Sequence, residues 1–221
     1  IRIPAPTGFG SVPAGTPEVR LLQAMGYRLE QVERGSRLPL PAAGVDEVLA
    51  AAQEAAGPDY RVHTWSGPTP PAWREDIAHL LTRMSTDAPT AGLEEPEDPW
   101  TVERLLEDEA LEAASPRTPV VAAVEHVPSG RLVGFTEFTV PAEPERTVAQ
   151  EDTIVLREHR GHRLGLLLKA ANLRYLEQVA PGHPAIITYN AEENRHMLDV
   201  NERLGFVPFV YEGAWRKDLT A

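Results

Sequence analysis

Apolar positions along this chain recur with two periods, one helical and one alternating, and their succession predicts a mixed α/β protein. Residues 1–18 hold Gly and Pro throughout with no sustained period, which predicts loop. Val19–Met25 predicts a short helix stopped by Gly26, with strand patterns from Tyr27 and again near Arg37–Leu40. Val45, Val48, Leu49 and Ala52 fall on one face of a helix over Val45–Ala56, which Gly57-Pro58 ends. From there the pattern is more regular. Tyr60–Trp65 alternates as a strand does; Pro71 suits a first helical turn, and Trp73, Ile77, Leu80, Leu81 and Met84 then repeat at helical spacing. An acidic loop, Thr90–Pro99, leads into a second helix over Trp100–Ala114. Val120–Val127 and Leu132–Val140 read as strands joined by a hairpin turn at Pro128–Arg131, and a further strand ends at Thr153-Ile154-Val155-Leu156. The loop Arg157–Gly165 runs into a helix with Leu164, Leu167, Leu168, Ala171, Tyr175 and Val179 on one face. Ala185–Tyr189 predicts a buried strand, Asn194–Leu204 a helix, and Phe206–Leu219 two closing strands.

The chain also matches itself. With Gly26-Tyr27 set against Gly205-Phe206 and no gaps, Val19 meets Leu198, Met25 meets Leu204, Arg37 meets Arg216 and Leu40 meets Leu219. That shared succession of helix, glycine, aromatic residue and strand predicts a duplication. Residues 1–42 are expected to be the tail of a degenerate first repeat, 43–57 a linker helix, and 58–221 a complete domain. Because the chain opens on Ile1, the expectation is a fragment lacking the N-terminal portion of the tandem.

Composition narrows the chemistry. The net charge of −12 argues against a nucleic-acid footprint and allows a cationic ligand. The chain has no cysteine, which excludes disulfides and thiolate catalysis. No apolar run approaches the ~20 residues of a membrane helix and no signal-peptide pattern is present, so no membrane is expected and the expected location is the cytoplasm. Lysine occurs only at Lys169 and Lys217 among abundant Arg, Ala and Pro, which points to a GC-rich bacterial source. No metal is expected.

The stretch richest in chemistry is Arg160-Gly161-His162-Arg163-Leu164-Gly165, between a predicted strand and a predicted helix. There the unpaired N–H groups of a helix start and its dipole favour an anion, glycine lets a phosphate approach, and Arg can hold a diphosphate bidentately. A plain basic helix start is the alternative reading.

With Thr153–Leu156 before this loop, Ile186–Asn190 after it, and Asn190-Ala191-Glu192-Glu193-Asn194 followed by Leu204-Gly205-Phe206, the sequence resembles the GNAT N-acetyltransferase superfamily. The family loop is Arg/Gln-x-x-Gly-x-Gly/Ala; Arg160 and Gly165 fill its ends and Arg163 replaces its middle glycine. The resemblance covers roughly residues 58–221, and the repeat is similar to the tandem, mycothiol-synthase-like type of actinobacteria. It implies an α/β (α+β) GNAT fold, a central mixed, mostly antiparallel sheet whose fourth and fifth strands splay apart and whose helices flank it. It further implies acetyl-CoA as donor, with pantetheine pairing with the main chain of Val155 and Leu156. The diphosphate is then expected on Arg157, Arg160, Gly161, His162, Arg163, Leu164 and Gly165, and Asn190 and Asn194 near the amides or the thioester. Asn194 also reads as a helix N-cap.

Acetyl transfer to an amine needs a base and then a proton for the thiolate. The resemblance places the base on the fourth strand or beside it, leaving Asp152, Glu151 and Glu137 as candidates. Strand alternation predicts that Glu151 and Asp152 point to opposite faces, with Asp152 beside Ile154 and Leu156. The family's frequent tyrosine acid falls at Asn201, whose amide can only donate a hydrogen bond to sulfur; Tyr189 or water is the alternative. His159 and His162 flank the loop. Glu94, Glu95, Glu97, Asp98, Glu103, Glu107, Asp108, Glu109 and Glu112 predict either an acidic wall drawing a cationic amine or a solvated helix face. Two functions stand: an N-acetyltransferase of a small amine, or a non-catalytic CoA-binding or assembly module that kept the fold. The oligomeric state is not legible.

Overall fold

A computed structural model describes residues 1–87 and 96–218. Its frame is a seven-stranded sheet in the order β4-β5-β6-β7-β8-β3-β9, comprising β4 (Tyr60–Ser66), β5 (Arg117–His126), β6 (Arg131–Pro141), β7 (Val148–Val155), β8 (Ala185–Ala191), β3 (Arg28–Pro39) and β9 (Val207–Arg216). All neighbours are antiparallel except β7 and β8. Both faces of the central strands are apolar because both are covered. On β5, Val120, Ala122 and Val124 face one cluster while Val121 and Ala123 face another.

One face packs on α5 (Leu164–Val179), the other on α3 (Arg74–Asp87) and α4 (Val102–Ala113). The sequence predicts one apolar face for α5, yet Leu166, Lys169, Ala170, Asn172 and Leu173 are buried as well. The reason is α2 (Val45–Ala56), which packs across α5 through Val45, Ala52 and Ala56 and makes it an interior helix. Among the described residues no helix is long and apolar enough to cross a membrane.

Three local readings change at the ends of the chain. The opening is not loop alone: β1 (Arg2–Pro4) and β2 (Ser11–Pro13) form a hairpin with Ile3 opposite Val12. Val12 and Ala5 pack there with Val19, Leu29 and Val32, an apolar set that the glycines and prolines between them obscure. The two strands expected over Tyr27–Leu40 are one continuous strand, β3. The two closing strands expected over Phe206–Leu219 are one, β9, with Leu219 outside the described residues. The place of a second closing strand is taken by β3, between β8 and β9.

The pairing of β3 with β9 has a local two-fold symmetry. The ungapped self-match makes Glu33 equivalent to Glu212, and these two residues face each other at the centre of the ladder. The two register shifts leave one extra residue on each strand, Glu30 on β3 and Phe209 on β9, and these are equivalent in the same match. The helices before the strands, α1 (Pro17–Ala24) and α6 (Arg195–Arg203), both lead into a left-handed glycine, Gly26 at φ 82° and Gly205 at φ 94°.

Two buried charges set measurable stabilities. Arg34 of β3 is buried and bonded through Nε to Glu192 and through Nη1 to Glu202 at 2.7 Å, tying the N-terminal strand to the C-terminal half. Removing one member of a buried ion pair strands the other charge, so Arg34→Met is expected to cost about 3 kcal/mol, read by urea unfolding. Lys169 on α5 is 2% exposed, and burial pushes its pKa down to about 7. Below pH 7 it is charged in both folded and unfolded chains and the full burial penalty opposes folding. Stability then rises as pH passes from 7 towards the unfolded value, because only the unfolded chain still holds the proton. Lys169→Met, similar in volume, is therefore expected to stabilise by a few kcal/mol below pH 7, with the gain shrinking towards pH 10. Thermal melts at pH 6 and pH 9.5 check the sign.

Candidate active site at the parted strands

The parallel strands β7 and β8 pair only at Val148↔Ile186 and Ala149↔Ile187, then diverge towards their C-terminal ends. On the other side of β7, Leu156 stays bound to the sheet: its N–H donates to Val133 O at 2.9 Å and its carbonyl accepts from His159 N at 2.9 Å. The N–H of Leu156 is thus used within the protein, which leaves only the second lone pair of its carbonyl for the expected pairing. Thr153, Ile154 and Val155 line the gap.

Beyond β7 a single tight turn at Arg157–His159 leads through Gly161, at φ 91°, to Arg163 at φ 55° and the start of α5. Arg163 is the one non-glycine residue with positive φ among the described residues. It stands where the family loop has glycine, so the loop keeps the glycine-type backbone at a cost of about 1 kcal/mol. Arg163 caps nothing with its side chain, which leaves the first-turn N–H groups of α5 open to an anion.

The result is a cleft of about 560 Å³ between the strand gap, the loop and α6. Of the residues expected from sequence, it brings together Val155, Arg160, Gly161, Arg163, Leu164, Gly165 and Asn194. Arg160 also donates from Nε to Val155 O at 3.1 Å, fastening the loop to the strand end. Asn194 is the N-cap of α6, accepting from Met197 N at 3.3 Å, and it also lines the cleft. Arg157 and Asn190 are not among the lining side chains. His162 turns the other way, its ring 5.2 Å from that of Tyr60, whose hydroxyl bonds His159 Nδ1 at 3.0 Å; His126 stacks behind at 4.7 Å from His159. These rings brace the back of the loop.

Asn201 is buried at 1% exposure and donates from Nδ2 to Asn190 Oδ1 at 2.8 Å, outside the cleft lining, while its own Oδ1 has no partner. Sequence reasoning missed the α6 face of the cleft, His196, Met197, Asp199, Val200 and Arg203. The spacing of His196, Asp199, Val200 and Arg203 at i, i+3, i+4 and i+7 on one side of a strongly amphipathic helix was the available signal.

The three strand carboxylates converge, and a bulge is the cause. Between Thr136↔Thr153 and Phe138↔Gln150, β6 has one residue, Glu137, and β7 has two, Glu151 and Asp152. The regular alternation that predicts opposite faces for Glu151 and Asp152 is interrupted there. Gln150 stitches the bulge, donating from Nε2 to Glu137 O at 2.8 Å, Thr136 Oγ1 at 3.1 Å and Glu151 O at 3.2 Å. Burial first, then the charges of Glu112, Asp152, Glu151 and Asp108, pushes Glu137 up to about 8. Burial and then Glu151 raise Asp152, and burial followed by Asp108, Glu109 and Glu151 raises Glu112. So α4 turns Asp108 and Glu112 towards the bulge. Elsewhere the predicted acidic wall is engaged or solvated: Glu109 accepts from Thr69 N at 2.7 Å, Asp98 pairs with Arg104, and Glu97, Glu103 and Glu107 are exposed. Glu94 and Glu95 lie outside the described residues.

Parted strands, a helix start with two arginines at the cleft, and a cluster of carboxylates with raised pKa values along β6 and β7 are the features this site offers a ligand. Similarity to known proteins agrees. The chain is similar to a tandem GNAT protein from the clavulanic acid biosynthesis pathway, at 26% identity and a TM-score of 0.70 over 97% of this chain and 61% of that one. The chain thus spans about three fifths of that protein. A GCN5-related N-acetyltransferase from Sphaerobacter thermophilus has the same fold, at 16% identity and a TM-score of 0.59 over 98% and 58% of the two chains. So has the glucosamine N-acetyltransferase region of a fungal multi-domain β-N-acetylglucosaminidase, at 14% identity and a TM-score of 0.57 over 92% and 23%. No curated protein matches the sequence. The model of the Acetyltransferase (GNAT) family matches residues 77–206, from α3 through the loop to the end of α6, and the chain belongs to that family.

Proposed function

We propose that this chain is an acetyl-CoA-dependent N-acetyltransferase acting on a primary amine of a small cationic molecule. The observation that carries the reading is the open helix start at Arg160–Gly165 beyond the end of β7, the strand that also carries Glu151 and Asp152 in a bulge opposite Glu137, although none of the three carboxylates lines the cleft itself. Bound acetyl-CoA supplies an activated acetyl group. The loop amides with Arg160 and Arg163 hold the diphosphate, and Thr153–Val155 flank the pantetheine arm in the strand gap. Asp152, half-buried and raised, takes the proton of the incoming amine, while Glu137 keeps its own proton until about pH 8. A cationic amine entering the bulge favours ionised carboxylates, so its binding readies the base.

The proposal extends to domain organisation. Residues 1–42 serve as the tail of a first repeat whose strand completes the sheet of the second, 43–57 as the connecting helix and 58–221 as the transferase domain. The symmetric bulges of β3 and β9 support this. A cytoplasmic bacterial enzyme remains the reading of its setting.

A second reading, a CoA-binding or assembly module without turnover, is favoured by one observation: Asn201, at the family's tyrosine position, is buried away from the cleft. Calorimetry with acetyl-CoA followed by thiol release over a panel of amines separates the two. Turnover with any amine removes the second reading, and binding without turnover across the panel removes the first.

A further inference from the structure

The cleft has two cationic walls, and a diphosphate on the loop accounts for one of them. Opposite the loop, α6 presents His196 and Arg203 two turns apart on one face of the helix. Among the described residues, Arg163 and Arg203 have neither a hydrogen-bond nor an ion-pair partner, in a chain where acidic residues outnumber basic ones 33 to 21. Elsewhere Arg28, Arg34, Arg104, Arg131 and Arg174 each hold a carboxylate. The cleft lining has a single carboxylate among the described residues, Asp199. Free guanidinium groups from two different elements, the loop and α6, lining one concave site in an acidic protein favour a ligand with two anionic groups. Arg203 also sits in the last turn of α6, where a cation suits the helix dipole, but that role concerns stability and selects no ligand.

Resting on the reading of the cleft as an acyl-CoA site, we propose that His196 and Arg203 form a second phosphate site, which takes the 3′-phosphomonoester at the nucleotide end of coenzyme A. The loop takes the bridging diphosphate, and the two walls measure the separation between the groups. A phosphomonoester has a second pKa near ~6, so it is a dianion above neutral pH and can be held by the fork of Arg203. Asp199, on the same helix face, opposes that charge. Because these side chains are open to water, the contact contributes modestly, and it sets selectivity more than total affinity.

The test is calorimetric titration of the full chain with coenzyme A and with 3′-dephospho-coenzyme A. The wild-type chain is expected to prefer coenzyme A by roughly 10-fold at pH 8, with the preference shrinking below pH 6 as the phosphate loses its second charge. Arg203→Gln should weaken coenzyme A about 5- to 10-fold and leave the dephospho form within about twofold, while Asp199→Asn should widen the preference. A wild-type chain that binds both forms equally, or an Arg203→Gln chain that loses both equally, overturns the second site while leaving the acyl-CoA reading intact. A wild-type chain that binds neither overturns that reading and this proposal with it.

Discussion

Asp152→Asn is expected to lower turnover by ~10²–10⁴-fold while leaving the affinity for acetyl-CoA unchanged, the loss that accompanies removal of one general base. The expectation rests on position. The acyl carbon at the end of an arm lying beside Thr153–Val155 falls next to the bulge, since one residue of strand spans ~3.3 Å. Asp152 belongs to that bulge, and burial, then the charge of Glu151, raises its pKa in the direction that makes a carboxylate a better proton acceptor. Glu137, opposite it, shares the field: with Asp152 neutralised, one of the charges raising Glu137 disappears, and Glu137 should titrate lower than about 8. Rate against pH, with acetyl-CoA binding measured in parallel, checks both statements. Full activity of Asp152→Asn across the pH range moves the role of base to Glu137, and Glu137→Gln becomes the decisive variant.

The second large effect is on the cofactor. Changing Arg160 and Arg163 together to Ala should weaken acetyl-CoA on the order of 100-fold, because each charged hydrogen bond contributes ~1.5–3 kcal/mol before discounting for water. Both side chains are exposed at the rim of the cleft, so the fold should be untouched; relief of positive φ at position 163 is slight, since Ala carries the same Cβ. Loss of the Arg160 bond to Val155 O adds freedom to the loop as well as removing charge. Unaltered affinity in this double variant, with an unaltered melting temperature, rules out the loop as the phosphate site.

Much of this was legible in the chain before any coordinates. The helix Val45–Ala56 falls where the apolar spacing puts it, and the loop at Arg160–Gly165 opens α5 as its arginines and glycines require. The carboxylates Glu137, Glu151 and Asp152 stand out in the sequence as candidate bases on two successive strands, with alternation sending Glu151 and Asp152 to opposite faces, but their convergence depends on one extra residue in β7. A bulge leaves no mark in a period-2 pattern when both bulged residues are acidic. The placing of β3 was illegible for a different reason. Its alternation announces a strand, while its neighbours are fixed by contacts with residues more than 140 positions away, which no local pattern encodes. The interior position of α5 follows the same logic, since the cover that α2 provides is a tertiary fact. Arg203 was passed over because an exposed arginine at a helix end has an ordinary local explanation.

The place of β3 also sets a timetable. Its residues leave the ribosome well ahead of both of its sheet partners, Ala185–Ala191 and Val207–Arg216, which lie more than 140 positions further along the chain. At ~5–20 residues per second, that is a wait on the order of ten seconds or more, during which Leu29, Val32 and Leu38 are exposed beside unpaired amides. Strands β4 to β7 with α3 to α5 can assemble meanwhile from near neighbours, so insertion of the waiting strand follows the assembly of that core. A nascent chain of this kind has reason to depend on holdase chaperones bound to the waiting β3 segment. Yield in cells should then respond more steeply to chaperone supply than the equilibrium stability of the finished protein would suggest.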